Sequence, residues 1–344
     1  MIILAIDTSC DDTSVAISSD NVVLANIIFS QVALHKEWGG VVPTIAKRAH
    51  QEHIDGVIQK AMKQAKMSLS SIEVFGVTQG PGLAIALEVG IAKAKELAST
   101  YNKPLVAVNH MEGHLYANFA ATHSSQKKDI QFPALVLLVS GGHSDLFIMR
   151  DHGHYEKLGE KLDDAVGEAF DKVARMLGLG YPGGALLAKL AEKGDSSIYK
   201  FPVPLHQVKD FNFSYSGLKT AIQRVIKEKT ANGTLLAQYE ICDISASFQR
   251  VAIHHLIERV ERALQIYEVK SLLLGGGVSA NLLLRKHLRN IAKKYHVEFF
   301  YPKNKKLCMD NAAMIAVTAW YKAMRGEFVK DFDRNPGMSI ESSH

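Results

Sequence analysis

The chain has 344 residues, 47% hydrophobic and 22% charged, with a formal net charge of +5. That is long enough for two ordinary domains, and no stretch approaches the roughly 18 apolar residues of a membrane span. No basic region precedes the apolar start, and Cys10, Cys242 and Cys308 form neither a CxxC pair nor an even disulfide set. Neither a secretion signal nor a disulfide framework is therefore expected; a reducing cytoplasm is, and the mild positive charge permits an RNA partner.

Strand, polar turn, strand opens the chain: Ile2 to Ile6, then Asp7-Thr8-Ser9-Cys10-Asp11-Asp12, then Ser14 to Ser18. Carboxylates clustered in such a turn can bind a cation, act as a general base, or simply cap the turn. A third strand, Val22 to Phe29, follows Ser19-Asp20-Asn21. Gly39-Gly40 marks a loop, and Pro43 opens a helical pattern through Ala65. A strand from Val74 to Thr78 runs into Gln79-Gly80-Pro81-Gly82 and a helix to about Ala98. The next strand, Pro104 to Val108, leads into Asn109-His110-Met111-Glu112-Gly113-His114. Asn109 stands where a helix N-cap belongs. His110 and His114, four residues apart, share one helix face, a spacing that lets two imidazoles reach one metal ion. Two histidines on a solvated helix have the same spacing.

Polar Thr122 to Gln131 reads as a linker or surface loop, and then the pattern restarts. Ala134 to Val139 is a strand, Ser140-Gly141-Gly142-His143-Ser144 a tight turn, Asp145 to Met149 a second strand and Gly153 to Gly159 a third. Two glycines let backbone amides point inward as in an anion cradle, a look shared with a plain glycine hairpin. A helix is expected over Asp163 to Leu177, with Asp164, Glu168 and Asp171 on one face and Phe170, Val173 and Leu177 on the apolar one. Beside the rigid turn Tyr181-Pro182-Gly183-Gly184, these acids can hold ribose hydroxyls or merely complement the helix dipole. A further helix starts near Ala185. Late in the chain, Leu272 to Leu274 enters Gly275-Gly276-Gly277-Val278-Ser279-Ala280-Asn281, with a helix beginning near Ala280. Backbone can approach a flat ligand there, and Asn281 can hydrogen-bond a nucleoside. Residues 281–306 hold eight Lys or Arg against one acid, Glu298, which suits a solvated helix face or an RNA phosphate track. Both halves thus open as strand, turn, strand, and alternate helices and strands afterwards: a mixed α/β chain with a repeat of architecture.

Together these pieces resemble the actin, sugar-kinase and Hsp70 (ASKHA) superfamily, α/β proteins of two ribonuclease H-like lobes with a nucleotide cleft. Within it the chain is similar to the tRNA N(6)-adenosine threonylcarbamoyltransferase family. The similarity covers Ile6 to Thr13, Asn109 to His114, Leu138 to Ser144, Asp163 to Gly184, Phe213 to Thr220, Leu274 to Asn281 and Cys308 to Ala313. It implies a first lobe over residues 1–121, completed by a C-terminal helix within 311–330, and a second lobe over 122–310 with helical insertions. It implies one divalent metal ion, iron(II) in preference to zinc, on His110, His114 and Asp310. It implies an adenylate held by Leu138, Val139, Ser140, Gly141, Gly142, Asp171, Gly184 and Asn281.

The activity implied is transfer of the threonylcarbamoyl group from threonylcarbamoyl-AMP to the exocyclic amine of the adenosine 3′ to the anticodon. The tRNAs are those reading ANN codons, AMP is released, and TsaB-like and TsaE-like proteins are the implied helpers. The apolar helix from Ile45 to Ala65 is the expected TsaB contact. Because an exocyclic amine is a poor nucleophile, orientation and polarisation of the electrophile are expected to outweigh a strong base. Asp12 is the expected proton acceptor. Two departures stand out: the family usually has Glu at the positions of Asp7 and Asp12, and Ala188 stands where a further ribose-binding acid is common. The rivals are an ATP-dependent kinase of the same fold and a zinc metallopeptidase, the activity once ascribed to the family. A zincin needs Glu directly after the first His; that position here is Met111.

Overall fold

The computed structural model describes residues 1–121 and 129–342, so most of the expected linker lies outside the described residues. In chain order the elements are β1 (Ile2–Asp7), β2 (Asp12–Ser19), β3 (Val22–Ser30), α1 (Val32–His35), α2 (Pro43–Ala65), β4 (Val74–Gly80), α3 (Ala84–Tyr101), β5 (Leu105–Asn109) and α4 (His110–Tyr116). They continue with β6 (Ala134–Val139), β7 (Ser144–Asp151), β8 (His154–Gly159), α5 (Val166–Met176), α6 (Gly184–Ala191), α7 (Ser216–Lys229) and α8 (Gln238–Ile266). The last are β9 (Ser271–Gly275), α9 (Leu282–Lys294), β10 (Glu298–Phe300), α10 (Lys305–Cys308) and α11 (Ala312–Met324). No helix among the described residues is long and apolar enough to cross a membrane. The chain divides into two compact units: Met1–Gln131 with Met149–Tyr155 and Phe300–His344, and Phe132–Ile148 with Glu156–Phe299.

The first unit is built on a five-stranded sheet in the order β3-β2-β1-β4-β5. Its strands β1, β2 and β3 run antiparallel as a meander, whereas β4 and β5 run parallel to β1. β1 is apolar at every position from Ile2 to Ile6, which is why both faces are covered. Leu4 and Ile6 face a core that includes Ile54, Val57 and Ile58 of α2 and Leu87 and Ile91 of α3. Ile3 and Ala5 face the opposite core, made with Met314, Ile315, Ala316 and Ala319 of α11. A Cβ on Gly76 would stand 2.8 Å from the Ala319 Cβ, so the bare glycine lets α11 lie close to β4. Three parallel strands in one sheet end at the same edge, which brings the C-terminal ends of β1 and β5, Asp7 and Asn109, to one side of the unit.

The second unit carries another five-stranded sheet, in the order β10-β9-β6-β7-β8. Parallel pairing of β6 with β9 sets Leu138 opposite Gly275, so the turns that follow these two strands are neighbours. Two helix starts differ from expectation. The helix expected from Asp163 begins at Val166, because the Asp163 carboxylate is engaged in a turn: it accepts from the Ser214 hydroxyl and from the amides of Asp164, Tyr215 and Ser216. Asp164 is therefore off the helix and does not share a face with Glu168 and Asp171; it pairs with Lys172 and Lys219. The helix expected near Ala280 is instead a 3-10 turn, Gly277–Ala280, followed by α9 from Leu282, because Asn281 caps α9 through its own side chain.

Candidate metal centre

The first unit builds its site at the strand edge just described. Asn109 Oδ1 accepts from the amides of Met111 at 2.8 Å and Glu112 at 3.3 Å, so α4 starts directly at the end of β5. Every residue of α4 is buried, including His110 at 7% exposure and His114 at 0%. The reading of two histidines on a solvated helix is therefore overturned. Asp310 arrives just before α11, where Asn311 accepts from the Met314 amide and the Ala312 amide donates to Ser14 Oγ at 2.7 Å. Asp310 Oδ1 lies 3.1 Å from His114 Nε2 and 3.5 Å from His110 Nε2. One ligand atom from each of His110, His114 and Asp310 fits within 4.8 Å of the others, so the group could hold a metal ion.

The hydrogen bonding supports that reading. Nδ1 of His110 and Nδ1 of His114 are buried without a hydrogen bond, while the Nε2 atoms of both rings face Asp310. Buried imidazoles left this way are costly unless something else binds them. Burial alone would raise the pKa of Asp310, but His110 and then His114 outweigh it and hold the carboxyl well below its usual range, an anion ready to bind a cation. Two imidazoles and a carboxylate are a donor set that suits iron(II) or zinc.

Asp7 is the residue that sequence reasoning undervalued. Its Oδ2 lies 3.6 Å from His110 Nδ1, while Oδ1 accepts from Thr78 Oγ1 at 2.8 Å and the Ser9 amide at 3.1 Å. At 3.6 Å Asp7 faces the His110 ring as an opposite charge rather than through a hydrogen bond. The contact arises because β1 and β5 belong to one parallel set, so residues at their C-terminal ends converge. Asp12 Oδ1 is buried without a partner, and burial raises its pKa to about 7, opposed by Ser30 and reinforced by Asp11, Asp310 and Asp7. Burial pushes the nearby Cys10 thiol far up, so it offers no thiolate at neutral pH.

The second unit gathers the residues expected to hold an adenylate. Leu138 and Val139 are fully buried at the end of β6. The turn after them is closed by Ser140, whose amide donates to the His143 carbonyl at 2.9 Å and whose Oγ accepts from the His143 amide at 3.1 Å. Around Gly141 and Gly142 there is open space. A Cβ on Gly276, whose φ is +83°, would meet the Val139 carbonyl oxygen at 2.4 Å, and one on Gly167 would meet the Ser140 carbonyl oxygen at 2.4 Å. The glycine turn, the start of α5 and the Ser140 turn thus close on one another through backbone alone. Asp171 Oδ1 accepts from the amides of Gly183 at 2.9 Å and Gly184 at 2.7 Å. Asn281 has both amide ends engaged: Oδ1 accepts from the Leu284 amide at 3.1 Å and Nδ2 donates to Gln249 Oε1 at 2.8 Å.

Comparison with known proteins agrees with this architecture. A sequence model of the family TsaD, tRNA N6-adenosine threonylcarbamoyltransferase, matches residues 22–317. The tRNA N6-adenosine threonylcarbamoyltransferase of Kosmotoga olearia is 43% identical over 343 residues, 99% of this chain and 100% of that one. Among solved structures, HypF of T. kodakarensis superposes with a TM-score of 0.62 at 12% identity, over 95% of this chain and 48% of that one. A ROK family glucokinase from Streptomyces griseus gives 0.50 at 12% identity, over 93% and 98%. At such identities the likeness is one of fold, and the expected ASKHA fold is the one found.

Proposed function

The chain belongs to the tRNA N6-adenosine threonylcarbamoyltransferase family, and from that premise we propose how its residues carry out the transfer of a threonylcarbamoyl group to N6 of adenosine in tRNA. The donor is threonylcarbamoyl-AMP and the acceptor is the adenosine 3′ to the anticodon in tRNAs reading ANN codons. N6 attacks the carbamoyl carbonyl carbon. The new N–C bond forms as the C–O bond to the phosphate breaks, and that electron pair leaves with AMP. Asp12 takes the proton lost from N6, a role supported by its unpartnered Oδ1 and a pKa of about 7.

His110, His114 and Asp310 would hold one divalent ion, iron(II) in preference to zinc as the family resemblance implies, and two histidines and one carboxylate leave coordination positions open for substrate with either metal. Bound there, such an ion supplies Lewis acidity to a carbonyl oxygen. Asp7 sets an opposite charge beside the His110 ring. In the second unit, Leu138 to Gly142 cradle the phosphate with backbone amides, Asp171 and the Gly184 turn take the ribose, and Asn281, held by Gln249 and capping α9, orders the adenosine end. The target base must leave its stack, at a lower cost in an anticodon loop than in a duplex. TsaB-like and TsaE-like partners assist in the cytoplasm, the former on the exposed side of α2.

The observation that carries this reading is a trio of side chains: His110 Nε2 and His114 Nε2 converge on Asp310 Oδ1, at 3.5 and 3.1 Å. A metallopeptidase is not favoured, because Glu112 is turned away from that trio toward Lys322 and Arg325. A kinase has only a likeness of fold behind it. The test is reconstitution with threonylcarbamoyl-AMP, an ANN-decoding tRNA and the helper proteins, comparing wild type with His110→Ala. Modification by wild type alone is expected. Equal modification by both refutes the metal role, and none by either refutes the donor and acceptor assigned here.

A further inference from the structure

We propose that Glu112 is a positioning residue for the metal centre: it ties α4 to the far end of α11 and so sets the distance from His110 and His114 to Asp310. The inference rests on the metal reading above. Residue 112 lies two positions from each histidine, and on a helix that turns its side chain to the opposite face. Its surroundings agree. Glu112 is 1% exposed, Oε1 accepts from the Tyr155 hydroxyl at 2.8 Å, Oε2 lies 3.8 Å from Lys322 Nζ and Oε1 lies 3.9 Å from an Arg325 guanidinium nitrogen. Both cations also pair with Glu327, at 2.6 and 2.5 Å. Two carboxylates thus balance two cations in a largely buried cluster.

Lys322 sits ten residues along α11 from Ala312, about 15 Å at the helical rise. α4 therefore meets α11 at both ends, through Asp310 before its first turn and through Lys322 and Arg325 near its last. Gly113 removes any spacer between them: a Cβ there would be 2.8 Å from Ile315 Cδ1 and 3.2 Å from Met314 Cγ. The run His110-Met111-Glu112-Gly113-His114 then reads as ligand, core side chain, tie, bare contact, ligand. Removing one charge from a balanced buried cluster leaves its partners uncompensated, and the helix carrying both histidines is the element free to respond.

A merely stabilising cluster would change melting temperature and leave the ligand geometry alone, so the test reads geometry. The metal-free protein is titrated with cobalt(II), following its d–d absorption and its dissociation constant. Wild type is expected to bind one cobalt ion that His110→Ala does not. Glu112→Gln is expected to bind about tenfold to a hundredfold more weakly, the range usual for groups behind metal ligands, with an altered spectrum. Arg325→Gln, whose side chain is 25% exposed and which removes an outer member, should shift both readouts in the same direction by less, and it carries the test if Glu112→Gln does not fold. Phe75→Leu, in the core on the α2 and α3 side of the sheet, should melt lower yet bind cobalt like wild type. Unchanged affinity and spectrum in every folded member of the Glu112→Gln and Arg325→Gln pair overturn the proposal. Absence of His110-dependent cobalt binding in wild type overturns the metal reading, and this inference with it.

Discussion

At the scale of single residues, the site is a balance of buried charges, and its predictions concern which group carries which. Asp310→Ala removes the carboxylate that, among the described residues, faces both imidazole Nε2 atoms, and His114→Ala removes a fully buried imidazole. Each is expected to abolish metal retention through purification, measured by elemental analysis, and to lower kcat by about a hundredfold or more. Asp12 must be ionised to accept a proton. With its pKa near 7, kcat/KM is expected to rise with pH through about 7 and level off above it. Asp12→Asn should be slower by about 10²- to 10⁴-fold, with that limb gone. An unaltered acid limb in the variant would assign it to another group. At this scale the sequence displayed the histidine pair and its cap, since both depend on neighbours within one helical turn. It could not display the Asp7 carboxylate behind His110, because that contact depends on β1 and β5 being members of one parallel sheet.

At the scale of elements, turns do the positioning in the second unit. Gly276 combines a left-handed φ of +83° with a carbonyl oxygen where a side chain would go. Gly276→Ala is expected to destabilise the protein by about 1–3 kcal/mol in chemical denaturation and to raise KM for the adenylate donor. Asn281 separates capping from ligand ordering. Asn281→Asp keeps an acceptor for the Leu284 amide and loses the donor to Gln249, so stability should hold while KM rises; Asn281→Ala should lose about 1 kcal/mol as well. A wild-type KM in Asn281→Asp beside a raised KM in Asn281→Ala would place the effect in the cap alone. The elements themselves were largely legible, as with α2, whose Pro43 start and Ala65 end follow from an N1 proline and the end of the apolar period. The start of α5 was not, because Asp163 gives its carboxylate to the amides of residues fifty positions onward, a competition that local pattern does not register.

At the scale of the whole molecule, folding stores groups in states they would not hold in water, and acid is the lever that reveals it. His255 is fully buried, accepts from the Ser214 amide at 3.2 Å through Nε2, and is pushed down to about 3 by burial and then by Arg259. A histidine kept neutral in the fold contributes stability that is complete above its unfolded value of 6.5 and is lost as pH falls from there toward 3. Unfolding free energy should therefore decline below pH 6.5 by up to about 1.4 kcal/mol per pH unit, and His255→Gln should flatten that decline. Equal slopes in the two proteins would clear His255 of the effect. The sequence alone determined the α/β class, the strand-turn-strand opening of each half and the histidine pair, because these follow from periodicity and from contacts a few residues apart. Only the tertiary structure decided that Asp310 joins that pair, that Glu112 faces Lys322 and Arg325, and that Ser140 lies against the glycine turn. Those meetings are set by strand order and helix packing, which no local stretch of chain encodes.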